Sequence, residues 1–165
     1  MAKRIVTRIG DVFSVALDNG NLRFFQFVAI DSSCLGGSVI RIFKREYPKG
    51  YILNLEDVVS DDVDFYALTI LRMGVSDGDW QKVGNSNNIG DTCNILFRTC
   101  KKDVIDHNER IWKAWYINKE WFTIGKLTCD YRAKSDIGGV WVSSAIVYRI
   151  KNGVYPGTAY WPEEH

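Results

Sequence analysis

Between an alternating strand and a markedly aromatic one lies Asp18-Asn19-Gly20-Asn21, and this tetrapeptide constrains the fold more than any other stretch of the chain. Asn-Gly supplies two successive residues that tolerate positive φ, which a two-residue type I′ hairpin turn requires. Upstream, residues 11–17 (DVFSVAL) set Phe13, Val15 and Leu17 at the two-residue period of a strand with one buried face. Downstream, residues 22–30 (LRFFQFVAI) are apolar on both faces. A type I′ turn pairs Leu17 with Leu22, Val15 with Phe24 and Phe13 with Gln26. One face then collects Phe13, Val15, Leu17, Leu22, Phe24, Val28 and Ile30, and the other carries Phe25 and Phe27 beside Ser14, Ala16 and Arg23. Both faces need cover, from a second layer or from the curl of a small barrel. Gln26 is the polar intruder, because a buried amide without hydrogen bonds costs about 1–3 kcal/mol.

The rest of the chain continues in short strands. Residues 38–43 (SVIRIF) read as a third strand, and Asn54 caps a short helix with acids in its first turn. Residues 65–75 (FYALTILRMGV) read as a strand, and Ser76–Trp80 as a turn that carries Trp80 into a shorter one. Residues 84–91 form a loop, 93–98 (CNILFR) a strand, and 101–110 a charged, exposed connection. A second hairpin over 110–127 turns at Asn118-Lys119. It pairs Ile117 with Glu120, sets Trp115 opposite Phe122, and leaves Trp112, Tyr116 and Trp121 on the other side. Near the end, residues 143–153 (SSAIVYRIKNG) predict a helix with Ser144 as cap and Asn152-Gly153 as stop. The expected architecture is α+β: a mainly antiparallel β-sheet or partly open barrel with a short C-terminal helix, folded as a single domain over residues 1–165.

Reaction centres are hard to build from these residues. Lys and Arg number 21 against 20 Asp and Glu, a formal net charge of +1, which argues against a dedicated polyanion binder. No apolar run reaches secretory or membrane-spanning length, so a cytoplasmic protein with no membrane partner is expected. His107 and His165 are the two histidines, and the neighbours of His107 read as a solvated loop rather than a catalytic triad. No phosphate-binding glycine loop occurs, and Asp77-Gly78-Asp79 reads as turn chemistry. Cys93, Cys100 and His107 recur at seven-residue intervals and would complete a zinc site with Cys129 if the fold gathered them. Structural zinc ligands usually come in close pairs, so reduced thiols and no metal or cofactor are expected. Arg110, Trp112, Lys113, Trp115 and Tyr116 offer a stacking platform for single-stranded nucleic acid, although core packing explains them as well.

What remains is a non-catalytic binder rich in Trp and Tyr, the residue types enriched at interface hot spots. The candidate partner-binding residues are the acids Glu56, Asp57, Asp61, Asp62 and Asp64, with Trp112 and Trp121 as exposed aromatics.

The opening stretch resembles the start of bacterial immunity protein 26 and its relatives. The matching residues are Gly10, Asp11, Phe13, Val15 and Leu17, then Asn19, Gly20, Phe24, Phe25, Gln26 and Val28. Residues 78–84 (GDWQKVG), 115–127 (WYINKEWFTIGKL) and 146–153 (IVYRIKNG) are similar in type and order. The resemblance implies a protein that binds and neutralises a cognate toxin in the cytoplasm without catalysis, and it carries no catalytic motif. Residues 8–17 (RIGDVFSVAL) also look like the first strand of MazF-type endoribonucleases, whose expected Arg-Pro continuation is absent. A small-barrel endoribonuclease or nucleic-acid-binding protein, and a generic intracellular interaction module, are the alternatives left open.

Overall fold

The computed structural model describes residues 4–101 and 109–157. In chain order the strands are β1 (Asp11–Ala16), β2 (Leu22–Asp31), β3 (Gly37–Phe43), β4 (Val63–Thr69), β5 (Gln81–Asn85), β6 (Leu96–Cys100), β7 (Trp112–Tyr116), β8 (Phe122–Gly125), β9 (Asp136–Ile137) and β10 (Val140–Trp141). The helices are α1 (Leu55–Val59), α2 (Leu71–Asp77), α3 (Cys129–Lys134) and α4 (Ser143–Asn152). Six strands form one sheet in the order β10-β4-β3-β2-β1-β5, and four form another in the order β8-β7-β6-β9. Pairing is antiparallel except where β10 meets β4 and β9 meets β6. The α+β expectation holds in its sheet form; the sheets do not close into a barrel.

The first hairpin forms where its turn residues direct it, in a different register. Of the turn residues only Gly20 takes a positive φ, +85°. Its amide donates to Leu17 O (3.0 Å), and the Leu17 amide donates to Asn21 O (2.8 Å). The loop is therefore three residues long, a type I turn closed by a left-handed glycine. This pairs Ala16 with Leu22, Val15 with Arg23 and Phe13 with Phe25. A one-residue slip exchanges faces, so Phe25 and Phe27, rather than Phe24 and Leu22, share the face of Phe13 and Val15.

The same correction applies to the second hairpin. Asn118 takes φ +59°, the Lys119 amide donates to Tyr116 O (3.0 Å), and Ala114 rather than Trp115 lies opposite Phe122. Trp115 stacks instead on Trp121, with ring centroids 4.1 Å apart and planes 3° from parallel.

Two further expectations change. The strand expected over 65–75 ends at Thr69, and Leu71–Asp77 is helical. Leu71 and Gly74 are its buried residues, a three-residue spacing that suits a helix. Gly74 is required, because a Cβ there would stand 2.1 Å from the Trp80 ring. For α4 the N-cap is Val142 rather than Ser144, while Gly153 stops the helix at φ +80° as expected. The Asn54 cap of α1 is as expected: its side chain accepts from the Glu56 and Asp57 amides.

Both faces of the large sheet are covered. Phe13, Phe25, Phe27, Ile40 and Ile42 pack with Leu71 of α2, with Trp80 and with Ala145, Ile146 and Ile150 of α4. On the other face, Val12, Phe24 and Phe43 pack under Val58 and Val59 of α1. Farther along that face, Val28, Val39 and Leu68 pack with Phe97, Trp115 and Ile117 of the small sheet. Between these two clusters sits the Gln26 amide, directly across from Arg41. Arg41 Nε and Nη2 donate to Gln26 Oε1 (3.0 and 2.7 Å), and Nη2 also reaches Val59 O (3.2 Å) and Asn88 O (2.7 Å). Gln26 Nε2 donates to Gly10 O (3.2 Å) and Ser86 O (3.0 Å). Each polar atom of the amide is thus satisfied, and one seam ties α1, the 86–88 loop and the start of β1 to the sheet.

Gln26→Leu keeps the volume but takes the acceptor shared by Nε and Nη2 from the buried Arg41 guanidinium and the side-chain donor from Ser86 O. Urea unfolding should show a loss of about 2–4 kcal/mol; an unchanged midpoint would contradict the role given to the amide.

Candidate partner-binding surface

The acidic run lies at one end of the large sheet, where β3 leaves and β4 enters. Glu56 and Asp57 are exposed in the first turn of α1, the helix end that favours negative charge. Asp61 is committed to the fold: Oδ2 accepts the Arg45 amide (2.7 Å) and Oδ1 the Asp62 amide (2.8 Å). Asp64 pairs with Arg23 at 2.8 Å, and Arg23 also donates to Phe43 O and Ile150 O. Glu56, Asp57 and Asp62 therefore face solvent, while Asp61 and Asp64 fasten the edge that presents them.

Sequence reasoning missed two neighbours of this edge. Glu46 accepts from Asn19 Nδ2 (2.8 Å) and Asn21 Nδ2 (2.6 Å), and these bonds hold its carboxyl below the usual carboxylate range. Ile52, just before α1, is 89% exposed. Lys44, Arg45 and Lys49 are exposed at the same end, so the edge is mixed in charge rather than uniformly acidic. Glu46 sits among these cations in the sequence, which hid it.

The two tryptophans divide. Trp112 is only 4% exposed, so the expectation that its ring faces solvent is corrected: it lies on the same side of β7 as buried Ala114. Arg110 and Trp115 are buried too, and the stretch does not present a row of open rings for stacking bases. Trp121 is 43% exposed. Its ring lies on Trp115, and its Nε1 donates to Ser33 O (3.1 Å).

Trp121 stands at the opposite end of the sheet from the acids. The seven residues of β3 separate the two ends, about 20 Å at roughly 3.3 Å per residue. Both lie on the same side, because α1 and the small sheet cover the same face.

The Trp121 end is built from two interlocked turns. Buried Asp31 accepts Trp115 Nε1 on Oδ2 (2.8 Å), and the Ser33 and Asn118 amides on Oδ1 (both 2.9 Å). Asn118 returns the contact: its Oδ1 accepts from the Ser32 amide and hydroxyl (both 2.8 Å), and its Nδ2 donates to Ile30 O (3.0 Å). Ser33 Oγ donates to Lys119 O (2.9 Å). Within the first turn, Leu35 and Gly36 take φ +56° and +65°, and the Gly37 amide donates to Cys34 O (3.0 Å). This is type I′ geometry, with leucine where glycine or asparagine is normal. The left-handed conformation costs a leucine about 1–2 kcal/mol, and its side chain is 93% exposed. In the sequence the signal was one leucine among Ser32, Ser33, Gly36 and Gly37.

No metal centre assembles from the described residues: no group of three candidate ligands occurs among them. Cys93 and Cys129 are exposed and Cys100 half-buried, and His107 lies outside the described residues. Burial and the nearby Asp31 push the Cys34 thiol up. No described helix is long and apolar enough to cross a membrane.

Residues 8–111 match a family model described as immunity protein 26. No curated protein and no solved structure matches the chain.

The different duties of neighbouring acids give a paired test. Asp61→Lys removes two amide acceptors and should cost about 1–2 kcal/mol in urea unfolding, whereas Asp62→Lys should stay within about 0.5 kcal/mol of the parent. Equal effects would contradict the assignment.

Proposed function

The chain belongs to the immunity protein 26 family, and from that membership we propose that it is a non-catalytic protein that binds a cognate bacterial toxin in the cytoplasm and neutralises it. The family match is the observation that carries the reading. It runs from the start of the first hairpin through β6, and so includes the acidic run and the Gln26–Arg41 seam.

Neutralisation by occlusion asks for a rigid surface of ordinary interface size, roughly 1,200–2,000 Å² in total. The side of the molecule formed by α1 and the second hairpin offers one. Half of that area on each partner makes a patch about 30 Å across, enough to reach from the acidic end to Trp121. In this reading Glu56, Asp57 and Asp62, with Glu46 beside them, meet cationic groups on the toxin. Asp61 and Asp64 hold that edge in place. Trp121 makes an apolar contact, and Trp112, buried in β7, does not reach the partner. Exposed charges of this kind act mainly on association rate and salt dependence, and no cofactor enters.

The test is co-expression with a panel of bacterial toxin domains in a sensitive host. The proposal expects restored growth against one cognate domain, and a complex of the two purified proteins that masks the toxin's activity. Failure to protect against any toxin, with RNA cleavage by the purified chain, would replace this reading with the endoribonuclease one.

A further inference from the structure

The interlocked turns at the Trp121 end carry a feature that folding alone does not explain. Leu35 occupies a left-handed position that glycine fills without strain, and it puts 93% of its surface into water. Nothing in the fold is gained from the side chain in return. Strain retained at an exposed position is a pointer to function. Trp121 is 43% exposed, and its Nε1 bond to Ser33 O ties it to the turn that carries Leu35.

We propose that Leu35, on the turn to which Trp121 is hydrogen-bonded, is the apolar anchor that inserts into a pocket on the toxin. This deepens the immunity reading and rests on it. Three properties suit the role. The two turns are held by Asp31 and Asn118 before any partner arrives, so little ordering entropy is lost on docking. The exposed charges on the second turn, Lys119 and Glu120, are of opposite sign, so the apex is close to neutral and fits an apolar pocket. The exposed acids Glu56, Asp57 and Asp62, about 20 Å away along β3, stand at one end with Lys44, Arg45 and Lys49, and so match a surface of mixed charge beside that pocket. The occupant is thus a folded protein whose contact face pairs an apolar pocket with basic residues that meet these acids and acidic residues that meet these cations. Buried apolar anchors at the centre of a contact govern dissociation, whereas rim charges govern association.

The probe is the toxin domain whose lethality the wild-type chain suppresses. Leu35→Gly and Leu35→Asn both suit the turn, so both variants should fold with a Tm equal to or above the parent's. Both should dissociate from that domain about tenfold faster or more, the effect of losing an interface anchor. Glu56→Lys should instead slow association and leave dissociation nearly unchanged. Higher stability together with weaker binding is a signature that a merely structural leucine does not give. Protection by the wild-type chain, with dissociation of Leu35→Gly within twofold of it, would overturn the anchor and leave the immunity reading standing. A wild-type chain that protects against no toxin would overturn both.

Discussion

The buried Asp31 carboxylate holds the two sheets in register. It stands at the last position of β2 and accepts three donors, two of them from the second hairpin some eighty residues away in sequence. A buried carboxylate is tolerated only when its oxygens are filled, and here the Trp115 indole and the Asn118 amide fill them. The hairpin is therefore fixed to the end of the large sheet by charge-assisted bonds, in addition to the packing of Trp115 and Phe97 on Val39 and Leu68. Everything presented at that end, including Leu35 and Trp121, inherits its position from this contact.

At mid-sheet the Gln26–Arg41 pair plays a corresponding part. Two strands paired directly across place both side chains on the face that α1 and the small sheet must share. An apolar pair there would have joined the two clusters into one continuous layer. The polar pair divides them, and its spare donors bind the carbonyls of α1 and of the 86–88 loop. The acidic edge and the Trp121 end are consequently two separate structures on one side of the sheet, at a fixed distance.

Much of this was legible in the sequence, and the failures have a common cause. Alternation located β1, β2, β3 and the second hairpin, and Asn54 and Gly153 marked helix ends, because these signals are local. Register was lost in both hairpins, since Asn-Gly and Asn-Lys fit more than one loop length and a single residue exchanges the faces. That slip hid the stacking of Trp115 on Trp121, and the burial of Trp112 depends on tertiary cover that alternation does not reveal. The helix at Leu71–Asp77 was hidden by β-compatible residues around a glycine whose role depends on Trp80, a tertiary contact. The need to satisfy Gln26 was legible, but its partner was not. Leu35 went unnoticed because exposure and a positive φ are properties of the folded turn.

The proposal drawn from family membership and this geometry is that the side of the sheet that carries α1 and the second hairpin binds the toxin. Hydrogen–deuterium exchange of the chain, free and bound to its cognate toxin domain, tests it most directly. The account predicts slowed exchange at amides of residues 30–37 and 117–121 together with 54–62, and no change in α4. Slowing confined to α4, on the other face of the sheet, would contradict it.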